Sequence, residues 1–159
     1  MILRTGNLWD APADVGATVI AVTTNSTVTR DGRLVMGRGA ALEAKRRYPG
    51  IDYEAGGHIN LFANYHHHRR YGWMLIRAFD QPRFGIFQVK HYWRDAADLD
   101  LIRNSCERLR EWLSTKAWPG TVVALNFPGI GNGRLAREAV LPIISGLPDQ
   151  VAIYERGEL

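Results

Sequence analysis

Residues 19–24, Val-Ile-Ala-Val-Thr-Thr, lead through a polar segment, Asn25 to Arg33, toward Met36-Gly37-Arg38-Gly39-Ala40-Ala41. The first six residues are largely apolar and β-branched and too few for a helix, so Val19 to Thr24 reads as a short buried strand. Asp31-Gly32 marks a turn in the polar segment, and Ala40 to Tyr48 has helical composition up to the stop signal Pro49-Gly50. Strand, glycine-bearing loop and helix follow one another directly.

The same unit recurs near the C-terminus. Thr121 to Leu125 reads as a buried strand, Pro128 to Arg134 as a second glycine-rich loop, Leu135 to Ile144 as a helix and Val151 to Tyr154 as a last strand. Between the two units, Trp73 to Phe79 and Phe84 to Val89 are rich in aromatic and branched residues and read as paired strands joined through Asp80-Gln81-Pro82. Asp98 through Trp112 sets up Leu99, Ile102, Cys106, Leu109 and Leu113 at spacings of three and four, an amphipathic helix started by Asp98 or Asp100. Ile51 to Tyr71 mixes Gly56-Gly57 with polar and aromatic residues, has no sustained period, and reads as loop and short strand. This alternation implies an α/β sandwich whose sites lie where strands end and loops begin.

The 159 residues carry 46% hydrophobic and 23% charged content without repeat or linker, which fits one domain spanning 1–159. No stretch approaches the ~18 to 20 apolar residues of a membrane helix, and the opening Met-Ile-Leu-Arg-Thr-Gly-Asn lacks the apolar core of a secretory signal. A cytoplasmic monomer is therefore expected, with no membrane partner. The lone Cys106 cannot form an internal disulfide and reads as a small buried hydrophobe. The net charge of +4 is clustered in Lys45 to Tyr48, His66 to Tyr71 and Lys90 to Arg94, basic stretches interleaved with aromatics that favour an anionic partner.

Both glycine loops lead into helices. Each can bring backbone N–H groups toward a phosphate at a helix N-terminus without side-chain obstruction. Neither has the spacing of a Walker or dinucleotide-binding motif. Taken singly, each loop reads first as a structural turn; two on one short domain point to a diphosphate held between them. His66-His67-His68 is no metal motif, because neighbours on a strand alternate faces and cannot converge on one ion. The triplet reads as a basic, pH-sensitive surface beside Arg69 and Arg70, and neither a metal nor a cofactor is expected.

Thr24-Asn25, Met36-Gly37-Arg38-Gly39-Ala40-Ala41-Leu42-Glu43-Ala44-Lys45, Phe87-Gln88-Val89-Lys90-His91-Tyr92-Trp93-Arg94 and Pro128-Gly129-Ile130-Gly131-Asn132-Gly133 together resemble the macrodomain family. The resemblance is nearest to its terminal ADP-ribose glycohydrolase branch and to antitoxin macrodomains that remove ADP-ribose from thymidine in DNA. It covers nearly the whole chain, from Gly6-Asn7-Leu8 to Tyr154. It implies a three-layer α/β/α sandwich with a central mixed sheet, ADP-ribose as ligand, and hydrolysis of the ADP-ribosyl link to DNA or protein. Asn7 and Leu8 match the adenine-binding pair, with Asn7 in place of the usual Asp, and Tyr154 matches an aromatic packed on adenine. Asn25 matches the asparagine near the distal ribose; Met36, Gly37, Arg38 and Gly39 match the first phosphate loop. Pro128, Gly129, Ile130, Gly131, Asn132 and Gly133 match the second, and His91 is expected as a further contact.

Lys90 matches the strand-ending lysine that acts on the anomeric carbon of the distal ribose. A lysine depressed by burial or by neighbouring cations can be a nucleophile or proton donor near neutrality, and Arg94 and His91 are the expected neighbours. The alternative for Lys90 is a solvated or phosphate-pairing cation. The branch commonly follows its second loop with Gly-Leu-Asp, the Asp serving as acid–base partner of the lysine; here Gly133-Arg134-Leu135-Ala136 stands there and the Asp is absent. His91, Asp95 and Glu138 are the residues near enough in sequence to replace it. Three functions stay open: a hydrolase, foremost for thymidine-linked ADP-ribose on DNA and next for acidic residues on protein; a non-catalytic ADP-ribose reader; and a plain nucleic-acid-binding module.

Overall fold

The computed structural model describes residues 1–157. Six strands form one mixed sheet: β1 (Ile2–Thr5), β2 (Val19–Thr24), β3 (Trp73–Arg77), β4 (Arg83–Gln88), β5 (Val123–Asn126) and β6 (Val151–Glu155), in the spatial order β1-β6-β5-β2-β4-β3. All neighbours run parallel except β3, which pairs antiparallel with β4 at the edge. Five helices cover it: α1 (Ala11–Val15), α2 (Gly39–Arg47), α3 (Ile51–His66), α4 (Leu99–Thr115) and α5 (Arg137–Ile144). This is the expected α/β/α sandwich.

The period-two alternation of strand side chains divides the apolar interior in two. Ile20 and Val22 of β2 face one side, with Phe84, Ile86 and Tyr154, and are covered by Ala11, Ala41, Ala44, Ile51, Ala55 and Ile59 of α1, α2 and α3. Val19 and Ala21 face the other, with Phe87, Leu125 and Ile153, and are covered by Ile102, Cys106, Leu109 and Leu113 of α4 and Val140 and Ile144 of α5. Burial on both faces is why β2 reads as a continuous apolar run. Cys106 lies in the second layer, and burial pushes its thiol up to about 12, so it is protonated at neutral pH. Asp98 caps α4, its carboxylate accepting from the N–H groups of Asp100 at 2.7 Å and Leu101 at 3.3 Å.

Ile51 to Tyr71 corrects the reading as loop and short strand, since Ile51–His66 is a sixteen-residue helix. Ile51, Ala55 and Ile59 recur every four residues on its buried face, and Asp52 and Glu54 lie in the first turn, where the helix dipole favours them. Gly56 disguises this pattern, yet it is required by packing: a Cβ there would lie 2.0 Å from the Gly32 carbonyl oxygen. His66 ends the helix and His67 adopts a left-handed φ of 60°, so the histidines leave a helix end rather than a strand. A second difference is β1, which has no apolar alternation because all four of its residues are exposed at the sheet edge. No described helix is long and apolar enough to cross a membrane.

Candidate functional site

Parallel strands β5, β2 and β4 lie side by side, and the loops leaving their C-terminal ends surround a cavity of about 860 Å³. That is the size of a small-molecule site, and the ends of parallel strands are where such sites collect. The β2 loop brings Asn25, Val35, Gly37 and Arg38; the start of α2 brings Gly39 to Ala41. After β4 come Lys90, Trp93 and Arg94, and after β5 come Gly129 to Arg134.

Internal bonds hold these loops before any ligand arrives. Asn25 staples its own loop, its Nδ2 donating to the Val35 carbonyl at 3.0 Å and its Oδ1 accepting from Thr27 N–H at 2.8 Å. The buried Tyr71 hydroxyl donates to the Asn25 carbonyl at 2.7 Å from beneath, and its burial raises its pKa. Thr27 ties the β2 and β4 loops together, its hydroxyl donating to the His91 carbonyl and accepting from Trp93 N–H at 3.1 Å. At the cavity floor, Asn126 accepts from Thr23 N–H and donates to the Thr23 hydroxyl, both at 2.9 Å.

The two glycine loops meet at Gly39 and Asn132, where a Cβ on Gly39 would lie 3.4 Å from Asn132 Nδ2. No side chain caps the N-terminus of α2, and Gly39, Ala40 and Ala41 of its first turn line the cavity. Helix field and backbone N–H groups thus favour an anion there. The second loop reaches a similar end through a single 3-10 turn, Gly131–Gly133, rather than an α-helix: Gly129 and Gly131 have φ of 78° and 65°, Arg134 has 62°, and α5 begins only at Arg137.

The charge of the cavity is one-sided. Among the described residues lining it, the charged ones are Arg38, Lys90, Arg94 and Arg134, with no carboxylate. Lys90 Nζ donates to the Asp95 carbonyl at 3.1 Å. Burial first, then the cations Arg134 and Arg38, hold the Lys90 pKa below its ordinary value, while Asp95 opposes them. Depression was expected from Arg94 and His91; the cations responsible come from the two glycine loops instead.

Of the residues expected at the site, Asn25, Gly37, Arg38, Gly39, Lys90 and Gly129 to Gly133 line one cavity. Met36 is buried in the first core layer and does not line the cavity, and Pro128 precedes the lining part of its loop. His91 is turned into the loop framework, its Nδ1 3.1 Å from Ser26 Oγ and 3.3 Å from Gln88 Nε2, and does not line the cavity. Burial, followed by Arg70, lowers its pKa. Asn7, Leu8 and Tyr154 lie further along the same sheet edge, outside the cavity. Asn7 accepts from Trp9 N–H at 2.9 Å as the cap of a 3-10 turn, Leu8 is buried, and Tyr154 donates its hydroxyl to Asp14 at 2.7 Å. Glu138 does not line the cavity, and Asp95 meets Lys90 through its backbone carbonyl. Trp93, Arg94, Asn126 and Arg134 are lining residues to which the sequence reading assigned no contact. Trp93 and Arg94 carried the signal of a basic, aromatic stretch, and Asn126 that of a polar residue ending an apolar strand. Among the described residues, no group of three or more His, Cys, Asp or Glu is placed to hold a metal ion.

No family model matches this sequence, and no curated protein matches it. Solved structures do. The macrodomain of Thermus aquaticus DarG is 24% identical with a TM-score of 0.64, over 99% of this chain and 97% of that one. The macrodomain of Mycobacterium tuberculosis DarG is 25% identical with a TM-score of 0.58, over 96% and 95%. Thermosipho africanus DarTG, solved in complex with ADP-ribose, is 19% identical with a TM-score of 0.73; the match covers 98% of this chain and 41% of that longer one. The fold is that of a macrodomain and resembles the DarG macrodomains.

Proposed function

We propose that this macrodomain binds ADP-ribose in the cavity and hydrolyses its glycosidic link to a macromolecule, foremost thymidine in DNA. The observation that carries the reading is the meeting of two glycine loops around a cavity whose lining charges are all cationic. A diphosphate between the loops would take N–H groups from both, while Arg38 of the first loop neutralises it. The similar chain solved with ADP-ribose supports this choice of diphosphate.

Lys90 would then act at the distal ribose. As a neutral amine, Nζ attacks the anomeric carbon, the bond from that carbon to the acceptor breaks, and the acceptor leaves with the electron pair and takes up a proton. Water next displaces Nζ, which gives free ADP-ribose and restores the lysine. The basic and aromatic residues Trp93 and Arg94 at the same cavity favour a nucleic-acid acceptor over an acidic side chain, through stacking and phosphate pairing. ADP-ribosylated acidic residues on protein come second.

The absence of a carboxylate from the described lining favours one rival, a reader that binds ADP-ribose without turnover. Incubation with ADP-ribose linked to thymidine, guanosine, glutamate and arginine, followed by separation of products, decides between them. The hydrolase reading expects the thymidine link to disappear first. Calorimetric binding of free ADP-ribose with all four links intact would establish the reader.

A further inference from the structure

Arg134 stands where the glycohydrolase branch has a residue leading into its catalytic aspartate, and its backbone is unusual. Its φ is 62°, a left-handed conformation that costs a side-chain-bearing residue about 1–2 kcal/mol and glycine almost nothing. The only other described non-glycine residue with positive φ is His67, at an exposed helix end. The strained turn lets Arg134 line the cavity, and its Nη2 donates to the Arg94 carbonyl at 2.8 Å. That bond latches the second glycine loop to the loop that carries Lys90. A second tie, from Ala97 N–H to the Gly133 carbonyl at 2.9 Å, runs between the same loops.

We propose that Arg134 is a positioning residue that compensates for the absent aspartate: latched to the Arg94 carbonyl, its guanidinium is held at the wall of the same cavity as Lys90 and sets a fixed positive charge against the amine. This rests on the hydrolase reading of the cavity. The charged groups facing Lys90 come from three loops: Arg134 after β5, Arg38 before α2, and Asp95 with Arg94 on its own loop. Asp95 alone favours the charged amine. Among the neighbouring cations Arg134 acts most strongly on the lysine.

The chain has three lysines, Lys45, Lys90 and Lys116, so NMR titration of the labelled ε-methylene groups follows Lys90 directly, assigned with Lys90→Met. In the wild-type protein Lys90 should titrate below the ordinary lysine range. Arg134→Gly should move it up toward the ordinary lysine value, Arg134→Lys should restore it in part, and the pH profile of kcat/KM, which reports the free enzyme, should shift the same way. Turnover near neutrality should fall in Arg134→Gly, because losing a neighbouring positive charge favours the protonated, non-nucleophilic amine. An unchanged Lys90 midpoint in Arg134→Gly overturns the proposal. That readout needs no turnover, so failure of the hydrolase reading, seen as intact substrate with every linkage, is a separate result.

Discussion

The two glycine loops approach the cavity from opposite sides and are built on different physics. The first, through Gly37 and Gly39, ends at the uncapped N-terminus of α2, so a helix field stands behind its N–H groups. The second has only a single 3-10 turn, Gly131–Gly133, at its edge and relies on positive φ at Gly129, Gly131 and Arg134 to turn its backbone inward. The first loop is open, with nothing near a Cβ added at Gly37. The second is open at Gly131 but wedged into the core at Gly129, where a Cβ would lie 2.8 Å from Ile102 Cδ1 and 2.9 Å from Leu135 Cδ1. The comparison teaches that glycine serves two different ends here: room for a ligand in the first loop, and room for the protein itself in the second.

Substitutions can break that contrast. The largest effect is expected at Gly129→Ala, where the overpacking and left-handed strain together cost about 3 kcal/mol. At roughly 2–4 °C per kcal/mol for a chain of this size, thermal melting should show a fall of about 6–12 °C. Gly39→Ala should instead act on the ligand. Its φ of 59° costs about 1–2 kcal/mol and its methyl contacts Asn132, so calorimetry should show ADP-ribose affinity falling about tenfold with a smaller loss of melting temperature. Equal stability losses in the two variants would dissolve the distinction. Asn126→Ala, beneath both loops, leaves Thr23 N–H without its partner and should cost about 1–2 kcal/mol in urea unfolding.

The smallest effect concerns the exit of the second loop, where Arg137 pairs with Glu155 of β6 at 2.7 Å. The Arg137 hydrogen bond holds the Glu155 carboxyl below its ordinary 4.5. A depressed carboxyl stabilises fully above its unfolded pKa and loses that contribution as pH falls through the folded value. Arg137→Ala should therefore lower the melting temperature slightly at pH 7 and leave it nearly unchanged under strongly acidic conditions, as thermal scans across pH would show.

Legibility followed the physics of burial. Strands β2, β4, β5 and β6 are sandwiched between helices and write their position as apolar runs; α4 writes its own through one apolar stripe. The edge strand β1 buries no side chain and leaves no pattern, and α3 hides its four-residue period behind Gly56, which is there for the Gly32 carbonyl. At the site, the glycine loops and Lys90 were legible as motifs. Arg134 was visible only as part of the stretch from which the aspartate is missing, because its value depends on a left-handed turn and on the carbonyl of Arg94, which local sequence does not encode. Asn7, Leu8 and Tyr154 matched by position, yet their caps and core contacts emerge only in three dimensions.

The central claim is that Lys90, in a cationic cavity between two glycine loops, releases ADP-ribose from DNA. The direct test incubates wild-type protein and Lys90→Ala with an oligonucleotide carrying thymidine-linked ADP-ribose and separates the products. The account predicts free ADP-ribose and unmodified oligonucleotide from the wild type, and neither from Lys90→Ala despite retained ADP-ribose binding. Equal release by both proteins, or none by the wild type, would contradict it.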